Sequence, residues 1–243
     1  MFTSQGPTAR ELAVQALSSI ERGYDLLAPK FDHTPFRTPD RFLDSTLEVL
    51  GGLGPFRTGL DVCCGTGAGL GMLSELCQER VTGVDFSEGM LAQARAARQA
   101  RGAGGPAVDF VRADARALPF GAEYDLAVSF GAFGHFLPAE RPVLFAGVHR
   151  ALRPGGLFAF PVGAPVTMAS PAFWVTLGFD AAMRVRNALW RPSFVMYYRT
   201  FPLGEVLADL ERVGFTVGMQ PLEGFGRRTD GSPRCRVVLA CKS

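Results

Sequence analysis

The chain has 243 residues, 47% of them hydrophobic and 20% charged, with a formal net charge of +2. That balance suits one globular unit with a large core, and it lacks the basic excess that a nucleic-acid partner would require. Five cysteines (63, 64, 77, 235 and 241) are odd in number and have neither metal-ligand nor redox spacing, so no metal is expected and a reducing cytoplasm is. The first residues show no charged-then-apolar leader. Pro154 to Phe179 carries no charge, but Pro161, Pro165 and Pro171 interrupt it, so a buried strand and a loop are expected there and not a transmembrane segment.

After a frayed first dozen residues, Arg10 to Arg22 reads as a helix, with Leu12, Ala16 and Ile20 at helical spacing. Two aromatic-acid dipeptides follow, Tyr24-Asp25 and Phe31-Asp32. Thr38-Pro39 opens a second helix, with Pro39 in its first turn, running to about Leu50 and ending at Gly51-Gly52. The most informative run comes next. Leu60-Asp61-Val62-Cys63-Cys64-Gly65-Thr66-Gly67-Ala68-Gly69 is an apolar strand ending in a glycine-rich turn, and Val81-Thr82-Gly83-Val84-Asp85 is a second strand ending in an acid. A strand, a tight turn, a helix and a second strand make half of a nucleoside-binding α/β fold. The glycines admit a close ligand, and Asp85 stands where a carboxylate can take both hydroxyls of a ribose.

Counting on, the fifth residue after Gly65 or Gly67 is Leu70 or Met72, so the dinucleotide spacing of glycines fails. Val108 to Val111 is a third strand, leading into Arg112-Ala113-Asp114-Ala115. Tyr124 to Ser129 is a fourth, and Leu152-Arg153-Pro154-Gly155-Gly156 opens a fifth. Helices are expected over about 68–78, 87–101, 139–152 and 203–213, with Ser87 capping the second of these. Two last strands, Phe215 to Leu222 and Arg234 to Cys241, flank a long loop. Such alternation predicts a mostly parallel, doubly wound sheet.

The pattern Asp-x-x-x-Gly-x-Gly-x-Gly, followed by Asp85, Asp114, the Tyr124-Asp125 strand and the Pro-Gly-Gly turn, resembles the ordered motifs of class I S-adenosylmethionine-dependent methyltransferases. In motif style it is most similar to the ubiquinone/menaquinone type; Cys63 stands where that family often has glycine. The resemblance is strong over 57–162. It implies an α/β fold with a seven-stranded, mostly parallel sheet ending in an antiparallel C-terminal hairpin. The implied divisions of one domain are an N-terminal helical lid (1–55), a cofactor-binding core (56–164), a substrate-side insertion (165–200) and a C-terminal helix and hairpin (201–243). The cofactor implied is S-adenosylmethionine, with S-adenosylhomocysteine as product. Gly65, Thr66 and Gly67 would approach its methionine and ribose parts. Asp61 would orient that loop or reach the amino group through water. Phe86 would pack on the adenine near Met90, and Asp114 and Ala115 would meet the adenine edge. Ser129 or Gly131 would offer a carbonyl to the amino group, Tyr24 would close over the cofactor, and Arg37 would meet its carboxylate or remain a solvated loop charge.

His135, after the fourth strand, is the leading general base, with a structural hydrogen-bonding role as the competing reading; His33 is a lesser substrate candidate. The insertion has a helix from Ser170-Pro171 to Trp190. Trp174, Leu177, Ala181, Val185 and Ala188 form one apolar stripe, Asp180, Arg184, Asn187 and Arg191 a polar one, and Phe179, Met183 and Trp190 a third side with Arg186 among them. The extra apolar face implies deeper packing on the N-terminal helices, a lid placing Phe179 and Met183 against the acceptor, or contact with a homodimer partner or a membrane surface. A small, partly apolar acceptor is expected. A non-catalytic cofactor-binding protein is the alternative, since binding and turnover share these motifs.

Overall fold

The computed structural model describes residues 5–34, 36–102, 104–164 and 168–243; Pro165, one of the predicted breakers, lies outside them. Seven strands form one sheet: β1 (Phe56–Val62), β2 (Cys77–Asp85), β3 (Ala107–Arg112), β4 (Tyr124–Val128), β5 (Leu152–Gly163), β6 (Phe215–Pro221) and β7 (Cys235–Lys242). Their order is β3-β2-β1-β4-β5-β7-β6. The first five are parallel to their neighbours, while β7 runs antiparallel to both β5 and β6. The doubly wound sheet and terminal hairpin expected from the motifs are present.

The helices are α1 (Ala9–Leu17), α2 (Ile20–Leu27), α3 (Asp40–Gly51), α4 (Ala68–Leu76), α5 (Glu88–Ala100), α6 (Arg141–Ala151), α7 (Pro171–Leu189) and α8 (Leu203–Arg212). Strand alternation divides the core between the two faces of the sheet. Leu60, Val62, Phe158, Phe160 and Val238 meet Leu144, Phe145 and Val148 of α6 and Val206 and Leu210 of α8. Val81, Leu126, Val128, Ala159 and Val237 meet Leu50 of α3, Leu70 and Leu73 of α4 and Leu91 of α5. Arg141 is 4% exposed and ties α6 to α8 through Asp209 (2.8 Å), Glu205 (2.7 Å) and the Thr200 carbonyl (2.9 Å).

Local chemistry corrects three boundaries. The helix expected over 10–22 is two helices: Ser18 is extended, and Ser19 caps a new start by accepting from the Arg22 amide. Pro39 is the extended N-cap of α3, one position earlier than its expected place in the first turn. The chain also enters β2 at Cys77, so α4 ends at Leu76 and not at 78.

Candidate active site

The sheet order reverses between β1 and β4, and loops leaving the carboxyl ends of the parallel strands frame a crevice there. The first loop is shaped by three left-handed residues: Cys63 (φ 61°), Gly65 (φ 53°) and Gly67 (φ 89°). It is held by the Cys64 amide on the Val84 carbonyl and the Gly67 amide on the Cys64 carbonyl, both 2.9 Å. Gly67 then caps α4, whose N-terminus faces the crevice. The backbone conformation at position 63 explains why glycine is common there in the family: a Cβ in this region costs about 1–2 kcal/mol. Burial pushes the thiols of Cys63 and Cys64 well above their usual range, so both are neutral.

A cavity of about 510 Å³ lies between α3, α4 and α5, but the larger one, about 830 Å³, is the one that opens at the crevice. Nine of the residues expected at the site line it: Tyr24, Arg37, Gly65, Thr66, Asp85, Phe86, Met90, Gly131 and His135. Asp85 ends β2 and is 6% exposed; its oxygens accept from the Gly65 amide and the Ser87 amide, each at 2.9 Å. Burial raises its pKa despite those bonds, which act the other way. Arg37 lines the cavity while pairing with Asp40 at 2.7 Å.

The aromatic-acid dipeptides divide their work. Tyr24 and Phe31 line the cavity, while their acidic neighbours fasten the N-terminal helices to the core. Asp25 accepts from the Ser87 hydroxyl (2.6 Å) and the Gly89 amide (2.9 Å) at the start of α5, and Asp32 accepts from the Thr66 hydroxyl (2.6 Å) in the glycine loop. Charge-assisted bonds of this kind contribute about 1.5–3 kcal/mol each.

Tyr24 and His135, 111 positions apart, meet at 2.6 Å between the phenol oxygen and Nε2. The other ring nitrogen, Nδ1, lies 2.7 Å from the Val195 carbonyl, so it carries the proton and donates there. Nε2 is therefore the acceptor, and the Tyr24 hydroxyl donates to it. Burial lowers the His135 pKa, the carbonyl contact opposing, and burial raises that of Tyr24. Both are neutral at pH 7.

Other expected residues lie elsewhere. Asp61 is 1% exposed beneath the first turn of α4, where a Cβ on Gly69 would come within 2.5 Å of its Oδ2. Burial, then the nearby Asp85 charge, pushes its pKa up to about 8. Gly67 shapes the loop from its far side, on the smaller cavity. Asp114 pairs with Arg116 at 2.6 Å outside the large cavity's wall, and Ala115 packs in the core against α6. Ser129 spends its hydroxyl on the Val62 carbonyl (2.8 Å). His33 is exposed and does not line the cavity.

Phe179 and Met183 are not on the cavity wall either; Phe179 meets Tyr198, which is, with ring centroids 5.1 Å apart. Sequence reading missed Phe133, Phe173, Met196, Tyr197, Tyr198, Arg199 and Phe201, which complete the cavity wall. For Met196 to Phe201 the only signal was aromatic density in 194–201. Asp180 holds that segment by accepting from the amides of Tyr198 (2.7 Å) and Arg199 (3.0 Å).

The residues present fit S-adenosylmethionine. A glycine loop and an acid at the end of β2 suit its ribose, and aromatic walls suit its rings. Among the described residues no group of acids, histidines and cysteines is placed to hold a metal ion, and no helix is long and apolar enough to cross a membrane.

Residues 60–156 match a family described as a methyltransferase domain. An uncharacterised methyltransferase of Synechocystis is 30% identical over 77% of this chain and 79% of its own length. A demethylmenaquinone methyltransferase of Thermus thermophilus is 41% identical over 65% of this chain and 74% of its own. Among solved structures, the magnesium protoporphyrin IX methyltransferase of Synechocystis with bound S-adenosylhomocysteine superposes with a TM-score of 0.57 at 21% identity, covering 83% of this chain and 81% of that one. A likeness this remote in sequence speaks for the fold. Motif order, sheet topology, crevice and relatives agree: the chain belongs to the class I S-adenosylmethionine-dependent methyltransferases.

Proposed function

We propose that this methyltransferase acts on a small, partly apolar molecule whose oxygen, nitrogen or carbon nucleophile sheds a proton to the Tyr24–His135 pair. The observation that carries the reading is the fixed tautomer of His135. Nδ1–H is committed to the Val195 carbonyl, which leaves the Nε2 lone pair as the base. A nucleophile bound beside Tyr24 gives its proton to the phenol oxygen as the phenol proton passes to Nε2, and the imidazolium so formed keeps its bond to Val195. Burial lowers the pKa of His135 and so keeps the base free at neutral pH. Such general-base assistance accelerates a step by about 10²–10⁴-fold.

S-adenosylmethionine supplies a methyl already activated by a sulfonium, so the protein's task is alignment and exclusion of water. In this reading Asp85 takes the ribose hydroxyls on the lone pairs left by Gly65 and Ser87, and Phe86 and Met90 pack the adenine. Asp61, beneath the glycine loop, orients that loop or reaches the amino group through water, and Arg37 can exchange Asp40 for the carboxylate. The lid (1–55), core (56–164), insertion (165–200) and C-terminal unit (201–243) are kept as one functional domain. Phe133, Phe173, Tyr198 and Phe201 offer an apolar bed too small for a macromolecule and favourable for a ring or a lipid-like chain. Cysteines unpaired throughout the chain support a cytoplasmic location.

The test is transfer of labelled methyl into a cell extract separated into organic-soluble, small polar and macromolecular pools, with Asp85→Ala as the blank. Label in the organic pool that Asp85→Ala abolishes supports the reading. Label in the macromolecular pool overturns the acceptor class, and absence of transfer with S-adenosylhomocysteine still bound turns the protein into a binding-only one.

A further inference from the structure

Helix α7 is built inside out. Its polar residues face the protein: Asp180 holds the Tyr198 and Arg199 amides, Asn187 bonds the Phe194 carbonyl and the Tyr197 hydroxyl, and Arg186 reaches the Ser18 carbonyl. The opposite face is apolar from end to end. Trp174 (59%), Val175 (70%), Val185 (59%), Leu189 (80%) and the flanking Trp190 (52%) are exposed, with Ala181 and Ala182 between them. Of the placements that the sequence leaves open for this helix, the Trp174–Ala188 stripe takes the outward one.

Charge decides what covers this face. Residues 168–204 hold four arginines and a single acid, Asp180, which is buried. Arg184 and Arg191 flank the apolar face, and Arg199 stands beside the cavity over the Phe173 ring. Arg184 lies over the Tyr197 ring, and no ion pair joins it to a carboxylate among the described residues. A second copy packed on α7 would set these arginines against their own images with no acid to receive them. An apolar face with tryptophan at each end and a border of arginine matches the interface of a bilayer carrying anionic headgroups. Phe173, on the inner side of the same helix, lines the large cavity.

We propose that α7 docks the enzyme on an anionic lipid surface, with Trp174, Val185 and Leu189 entering the acyl boundary and Arg184 and Arg191 meeting phosphates. The proposal does not depend on which atom is methylated. The chain has two tryptophans, both on this face, so intrinsic fluorescence reports it directly. The experiment is co-sedimentation and tryptophan emission with vesicles of phosphatidylcholine alone or with about one third phosphatidylglycerol, at low and high salt. The wild type should bind the anionic vesicles with a blue-shifted emission, bind neutral ones at least tenfold more weakly, and detach as salt rises. Val185→Glu with Leu189→Glu should lower anionic binding at least tenfold while S-adenosylhomocysteine affinity, measured by calorimetry, stays within twofold, which shows that the fold persists. Equal binding to both vesicle types, or none to either, overturns the proposal. So does a concentration-dependent dimer that alone shifts the emission, which would assign the face to a second copy.

Discussion

Replacing Asp61 by asparagine separates what this carboxylate costs the fold from what it does for the cofactor. Asp61 has its pKa pushed from 3.8 to about 8 by burial and by Asp85. Below the unfolded value both states hold the proton and the side chain adds no penalty. Between 3.8 and about 8 the unfolded chain ionises while the folded one stays protonated, so native stability falls as pH rises through that window. At 1.36 kcal/mol per unit, the loss by pH 7 is at most about 4 kcal/mol. Asp61→Asn has the same shape and no titration. Urea unfolding of the ligand-free protein from pH 5 to 8 should show the variant gaining on the wild type by up to about 1.4 kcal/mol per pH unit. Affinity for S-adenosylmethionine should move the other way above about pH 8, where the folded wild-type carboxyl is ionised, falling at least tenfold because the cation loses its counter-charge. Parallel stability curves for the two proteins would refute the assignment of a buried acid with a raised pKa.

Tyr24→Phe keeps the ring but removes the donor to His135; methyl transfer should fall about 10- to 100-fold in kcat, with S-adenosylhomocysteine affinity within twofold by calorimetry. Arg141→Met leaves Asp209 and the Thr200 carbonyl buried with fewer partners, and should destabilise by about 3–5 kcal/mol in urea unfolding. Asp180→Ala frees the amides of Tyr198 and Arg199, which should exchange hydrogen at least tenfold faster while exchange in β1 to β5 is unchanged. Each unsatisfied amide costs about 1–3 kcal/mol.

What could be read from the residues follows the reach of each interaction. The parallel strands and the glycine loop were legible because strand periodicity, turn glycines and terminal acids are local signals repeated in sequence. Asp85, Phe86 and Gly131 could be found for the same reason: each sits a fixed step after a strand. The break at Ser18-Ser19 was also local, two capping residues in a row, but helical spacing of Leu12, Ala16 and Ile20 concealed it. The Tyr24–His135 bond was not legible, because nothing in either neighbourhood specifies a contact across 111 positions. Helix α7 misled for a different reason. Periodicity shows that a helix has an apolar side, but whether that side turns inward depends on what Asp180 and Asn187 bond to, and those partners come from the next loop.

The place of β7 between β5 and β6 governs the order in which the molecule can be completed. It follows β6 in the chain, yet it occupies an interior position, and its partner register runs along Leu157 to Gly163, the strand whose far end borders the cavity. Until Cys235 to Lys242 has left the ribosome, β5 is an open edge bearing Phe158 and Phe160, and β6 has nowhere to attach. An interrupted chain that lacked only this strand would hold the whole glycine loop, Asp85 and His135, yet present an apolar template to other nascent chains.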